Sequence, residues 1–168
     1  MKQILHKNKW FAIEKHILRN GQEYFLLSKK PTVFVIAETE DKELVLIKEY
    51  RYPIRRTIWQ LPAGMVEGGD ELESAKRELF EETGLTAKDW FRIGYFFVAP
   101  GHENTKIVVF VARNLIITKD SYRTLEVDVH KVKEFSKFKI KKMIRDNKIL
   151  CSISLAALNL YFTNHSQL

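Results

Sequence analysis

Short apolar runs separated by polar turns dominate the first third of the chain, and their period is that of strands rather than helices. Residues 10–18 and 23–29 flank Arg19-Asn20-Gly21-Gln22, and Asn-Gly between two such runs predicts a β-hairpin. Residues 32–37 and 43–49 form a second predicted strand pair, and 58–61 a short strand running into Pro62-Ala63-Gly64. The period then changes. Leu72, Ala75 and Leu79 recur at helical spacing, Asp70 is a suitable N-cap, and Gly84 is a stop after Thr83. Residues 91–98 and 106–112 are predicted strands around a loop at 99–105, and 125–132 is another. Helices are expected over 134–146, with Phe135, Phe138, Ile140, Met143 and Ile144 as its apolar stripe, and over 152–162, which is apolar on most faces. Strands interleaved with helices, without strict βαβ repetition, predict an α/β protein with a mixed sheet between helical layers. The hairpin makes residues 1–30 a small N-terminal module and leaves 31–168 as the main domain.

Composition narrows this picture. At 168 residues, 45% hydrophobic and 29% charged, the chain suits one soluble domain with a real core. The apolar runs are too short to span a bilayer, and residues 1–10 lack a signal-peptide core, so no membrane association is expected. A single cysteine, Cys151, excludes an internal disulfide and a zinc cluster and points to a reducing, cytoplasmic setting. Its apolar neighbours make it a small core residue rather than a nucleophile. The net charge of +7 favours anionic partners. Much of the excess lies in residues 131–148, read here as the solvated face of an amphipathic helix. No stacking platform or RNA-binding motif accompanies it, so nucleic acid is not the expected partner.

The chemistry concentrates in residues 64–85. Glu78, Glu81 and Glu82 fall three and four apart on the predicted helix and share one face. Three carboxylates there repel one another unless a cation offsets them. Hard oxygen donors suit Mg²⁺, or Mn²⁺, which binds through a few carboxylates together with substrate phosphates. A Gly-rich loop precedes the helix, and the order Arg77-Glu78-Leu79-Phe80-Glu81-Glu82-Thr83-Gly84-Leu85 carries more information than the charge alone.

That order resembles the Nudix box, the signature of the Nudix hydrolases. From Arg77 through Leu85 every fixed position of the pattern is matched. The first half is one residue short: twelve residues separate Gly64 from Arg77 where the pattern has thirteen. The shortening falls in the loop and leaves the ligand helix intact. The resemblance implies the Nudix fold, an α/β/α sandwich. It also implies Glu78, Glu81 and Glu82 as metal ligands, with the Ala63 carbonyl as a further one, and Arg77 as a partner holding a box glutamate. The flanks, Lys48-Glu49-Tyr50-Arg51-Tyr52-Pro53 and Trp59-Gln60-Leu61-Pro62-Ala63-Gly64, are similar to those of the ADP-ribose pyrophosphatase branch, as is Pro100 sixteen residues beyond Gly84. By that resemblance Arg51 faces a diphosphate, and Gly64 and Pro100 border the substrate. Trp10, with Tyr24 and Phe25 as alternatives, stacks on a base, at times across a homodimer in which the N-terminal hairpin packs on or swaps with the partner subunit.

Three positions depart from the branch. Gln60 stands where it usually has Glu, and Thr105 replaces an acid in the loop after Pro100, with Glu103 nearby and His102 a possible substrate contact. The acidic loop that supplies a catalytic glutamate is reduced to Asp120 and Glu126, so the general base stays open among Glu126, Asp120, Glu103 and Glu81. The resulting expectation is a Mg²⁺-dependent pyrophosphohydrolase of a nucleoside diphosphate sugar, ADP-ribose first, with Glu82, Glu81, Arg77 and Glu126 as catalytic residues. GDP-mannose or a diadenosine polyphosphate as substrate, or a non-catalytic nucleotide- or RNA-binding module, are the alternatives.

Overall fold

The computed structural model describes residues 2–117 and 129–164. In chain order the elements are β1 (Lys2–Lys7), β2 (Phe11–Ile17), β3 (Glu23–Lys29), β4 (Thr32–Ala37), β5 (Leu44–Arg51), a 3₁₀ turn at Tyr52–Ile54, β6 (Arg56–Gln60) and β7 (Ala63–Met65). They continue with α1 (Glu71–Thr83), β8 (Leu85–Phe97), β9 (Lys106–Ile117), β10 (Val129–Phe135), α2 (Lys137–Arg145) and α3 (Ser152–Asn164). Three sheets result: β1-β2-β3, β10-β5-β6 and β7-β4-β9-β8. Among the described strands the ladders are antiparallel except that of β4 with β9.

The core explains why β4 and β9 read as continuous apolar runs. Both faces of these strands are covered, the usual state of a parallel pair. Val33, Val35 and Ala37 of β4, with Val108, Phe110 and Ala112 of β9, pack against Ala75 and Leu79 of α1. The alternate residues Phe34, Ile36, Ile107, Val109 and Val111 pack against Ile140 and Met143 of α2 and Ala157, Leu158 and Tyr161 of α3. The result is the expected α/β/α sandwich, with α1 alone on one side.

α1 is delimited as its ends predict. The Asp70 side chain accepts from the Leu72 and Glu73 amides at 2.9 and 3.0 Å. Gly84 closes the last turn at φ 71°, a conformation that only glycine adopts at little cost. The next helix differs from expectation. It begins at Lys137, because Ser136 caps it and Phe135 already belongs to β10. Phe138 is 78% exposed and is no part of the apolar stripe. A three-residue β7 and the N-terminal β1 also went unpredicted. β1 is exposed along its whole length, so it carries no buried–exposed alternation to read.

The N-terminal sheet is fastened to the rest of the chain through β3 and the loop 99–105. The Leu27 amide donates to the His102 carbonyl (2.9 Å) and the Lys29 amide to Asn104 Oδ1 (3.0 Å). Asn104 Nδ2 donates to Ser28 Oγ (3.1 Å), and the Tyr24 hydroxyl to the Gly101 carbonyl. Among the described residues no helix is long and apolar enough to cross a membrane.

Glu38, at the end of β4, ties both layers together. Its carboxylate is buried and takes Arg113 Nε of β9 at 2.8 Å and Lys137 Nζ of α2 at 3.1 Å. Burial opposes its charge, but the hydrogen bonds and charges of Arg113 and Lys137 prevail and hold its pKa below the ordinary 4.5. Burial and the nearby Glu38 push the Tyr161 hydroxyl of α3 up. A depressed carboxyl pKa contributes stability above its unfolded value, and that contribution fades as pH falls through the folded one. Glu38→Gln is therefore expected to lower unfolding free energy at pH 7 by roughly 3 kcal/mol in urea titrations. It also flattens the loss of stability between neutral pH and about pH 3, relative to the parent chain.

Candidate active site

Two acidic side chains of α1 are drawn inward, against the rule that carboxylates stay in water. Glu78 and Glu82 are one turn apart and only 6% and 3% exposed. Both meet the backbone at Ala63-Gly64 in β7. The Ala63 amide donates to Glu82 Oε2 at 2.7 Å. A β-carbon on Gly64 would fall 1.9 Å from the Glu78 carboxyl carbon, so only a glycine leaves room for that carboxylate. β7 is held in place by pairing with β4, Val33 opposite Gly64 and Phe34 opposite Ala63. A short strand that looks unremarkable in sequence thus serves as the floor of the acidic cluster.

Arg77 braces the cluster from the side. Its guanidinium reaches Glu78 Oε1 at 2.5 Å, Glu81 Oε2 at 2.6 Å and the Met65 carbonyl at 3.3 Å. Partial burial works against its charge, yet Glu78 and Glu81 outweigh that and raise its pKa further. Glu81 is the outermost of the three acids, with a side chain 36% exposed.

A second polar cluster adjoins the same chain segment. Arg51 donates from Nε to Gln60 Oε1 (3.1 Å) and lies 2.7 Å from Glu49 Oε1 through Nη1. Gln60, 1% exposed, donates from Nε2 to Glu49 Oε2 at 2.5 Å. The amide at position 60 therefore serves as acceptor toward Arg51 and donor toward Glu49. A carboxylate there cannot do both, and it would set two buried acids face to face. Glu49 was not singled out in sequence. Its place two residues before Arg51 on a strand, on the same face, was the available signal.

The other candidates lie elsewhere. Pro100 is exposed, in the turn whose Gly101 receives Tyr24. Glu103 is bound to Thr105 and, at 3.1 Å, to Lys29 of β3. Burial opposes its charge, but those two partners prevail and hold its pKa below the usual range. Trp10 is half exposed, with Lys9 Nζ 4.3 Å from its ring centre, and borders a cavity of about 550 Å³ with Lys2 and Lys7. No hydrogen bond or ring contact among the described residues joins Trp10 to the acidic cluster. Cys151 is half-buried and accepts from the Ser154 amide at the start of α3. Asp120 and Glu126 lie outside the described residues.

The donor set is oxygen only: two buried carboxylates, the more exposed Glu81, and main-chain groups at 63–65. That suits Mg²⁺ or Mn²⁺ rather than a softer ion. Among the described residues no three acidic, histidine or cysteine side chains form a ready-made cage. Such a site suits a cation that takes its remaining ligands from water and a phosphorylated substrate.

A NUDIX domain model matches residues 28–148, and the chain belongs to that family. The ADP-ribose pyrophosphatase of Bacillus subtilis (strain 168) is 40% identical over 97 residues, covering 57% of this chain and 52% of that one. The methanol dehydrogenase activator of Bacillus methanolicus is 34% identical over 101 residues, 58% and 55% of the two chains. The chain spans about half the length of these curated relatives. A solved structure described as an ADP compounds hydrolase superposes with a TM-score of 0.78 at 21% identity, over 99% of this chain and 93% of that one, which speaks for the fold.

Gly64→Ala should force the Glu78 carboxylate out of its seat, with a loss of about 1–3 kcal/mol in denaturant unfolding. Gly101→Ala, where the added carbon meets nothing within 4 Å, should leave the midpoint unchanged.

Proposed function

We propose that this chain hydrolyses the diphosphate of a nucleoside diphosphate sugar, with ADP-ribose, cleaved to AMP and ribose 5-phosphate, as the first substrate. The observation that carries the reading is the pair of buried carboxylates, Glu78 and Glu82, pinned at Ala63-Gly64 and braced by Arg77. Burying two acids side by side is costly, and a bound cation offsets that cost. The likeness to the Bacillus subtilis ADP-ribose pyrophosphatase supports the substrate class.

In this reading Glu78, Glu81, Glu82 and the Ala63 carbonyl would hold Mg²⁺, or Mn²⁺ in its place. Bound there, such an ion would supply charge neutralisation for the diphosphate and a lowered pKa for the attacking water. Arg77 keeps Glu78 and Glu81 charged and oriented. Arg51, aimed by Glu49 and Gln60, grips the diphosphate as a planar fork. Gly64 and Pro100 border the substrate. The proton of the attacking water goes to Glu81 or Glu126. Because Glu103 is committed to Lys29 and Thr105, it is a poor acceptor. Residues 1–30 act as a module in a cytoplasmic homodimer, where Trp10 supplies a stacking surface for the base.

Product analysis on ADP-ribose, GDP-mannose, UDP-glucose and diadenosine polyphosphates with Mg²⁺ tests this directly. Glu82→Gln should fold normally yet lose on the order of 100-fold in kcat/KM on the preferred substrate. Full turnover by Glu82→Gln would refute the assignment of the acidic cluster. Turnover confined to a substrate other than ADP-ribose would move the specificity and leave the chemistry in place.

A further inference from the structure

The basic stretch after residue 130, a solvated helical face by sequence, is arranged differently in the fold. Lys131 and Lys133 stand on β10, Lys139 and Lys142 on α2, and Lys148 on the turn that follows. All five line one cavity of about 270 Å³ whose apolar wall includes Trp59 and Phe135. The turn is placed by structure rather than by chance. Asn147 adopts φ 52°, the Lys148 amide donates to the Met143 carbonyl at 2.8 Å, and Ile149 bridges to Trp59 of β6.

Among the described residues the charges there are unbalanced. Asp146 is, among the described residues, the one acid lining the cavity, and it is engaged by Lys142 at 3.2 Å. Among the described residues Lys131, Lys133, Lys139 and Lys148 make no ion pair. Lys48, opposite both Trp59 and Lys131 in the sheet, adds a further cation on the same face, its Nζ 5.9 Å from the Trp59 ring centre. Glu134, the acid nearest in sequence on β10, falls on the opposite face by alternation. Like charges gathered from three elements repel, and an anion among them would relieve that repulsion. This cavity is not the acidic site: neighbours on one strand point to opposite faces, so Trp59 lies behind the sheet from Gln60, and Lys48 behind it from Glu49.

We propose that this cavity is a second site, one that binds an anion carrying two or more phosphoryl groups. Lysine is a point-charge binder of phosphate, and five of them from three directions suit a compact polyanion. The volume is smaller than that of a typical drug-sized pocket and matches a phosphate chain rather than a whole large ligand. Trp59 already has Phe135 edge-on at 5.0 Å and Lys48 over its ring, so the aromatic wall is not a free stacking platform of the kind single-stranded nucleic acids use. The site stands independently of the hydrolase reading.

Isothermal titration with inorganic tripolyphosphate, in EDTA and low salt, decides the matter. The full chain and Arg51→Gln should both bind one equivalent. Lys131→Gln/Lys139→Gln, which alters two exposed and unpaired side chains, should bind about tenfold more weakly or worse while hydrolysing the preferred substrate at the parent rate. ADP binding more tightly than pyrophosphate would assign the site to a nucleotide, and equal affinity to the phosphate chain alone, both in support. Absence of binding, binding lost in Arg51→Gln, binding indifferent to the lysine pair, or binding of RNA oligomers alone with affinity rising with length would each overturn it.

Discussion

The structure around the candidate site depends on keeping two carboxylates inside the protein. Glu78 and Glu82 sit on the face of α1 that also carries Ala75 and Leu79 toward the core. Acids placed there destabilise the fold unless each finds a donor. The local chain is arranged around that requirement. β7 offers the Ala63 amide, Gly64 withdraws its side chain, and Arg77 folds back across the helix. Ser74, buried on the same helix, accepts from the Glu67 amide and ties the preceding loop down. None of these features helps the others fold by apolar packing. They are consistent with one another because each answers the same charge.

The same logic explains Gln60. As a departure from the ADP-ribose pyrophosphatase pattern it looks like a loss. In the fold its amide joins an arginine to a glutamate, where a second carboxylate would add repulsion to a buried pair. The position is occupied by the neutral residue that matches its two neighbours, and the consequence is an Arg51 guanidinium held at two of its nitrogens. Immobilising a cation in advance lowers the entropy that a bound anion must overcome.

What could be read in advance followed from signals that are local. Asp70, Gly84 and the Leu72-Ala75-Leu79 stripe delimit α1 without reference to any other element, and Asn20-Gly21 marks its hairpin with Gly21 at φ 81°. Arg77 and the box glutamates were legible because helical spacing alone puts them side by side. The elements that escaped are those defined by partners. β1 has no apolar side and exists through its pairing with β2. β7 is three residues that pair with β4. Aromatic residues at helical spacing look like a core stripe, so the pattern over 134–146 takes in Phe135, which is not helical, and assigns the helical Phe138 to the buried face. Tertiary pairing claimed Phe135 for β10 and left Phe138 in solvent.

The loop 99–105 is where local and partner-defined structure meet. It connects β8 to β9, two long strands anchored in the core, so its ends are fixed. Its middle is claimed by β3, through Leu27, Ser28 and Lys29. Thr105, which replaces an acid of the branch, and the nearby Glu103 are buried as a hydrogen-bonded pair facing Lys29. Glu103, one of the acids left open as a general base, is thereby engaged in holding the N-terminal sheet. Glu81, on the outer edge of the α1 cluster with its side chain 36% exposed, keeps the access to water that the buried Glu103 has given up.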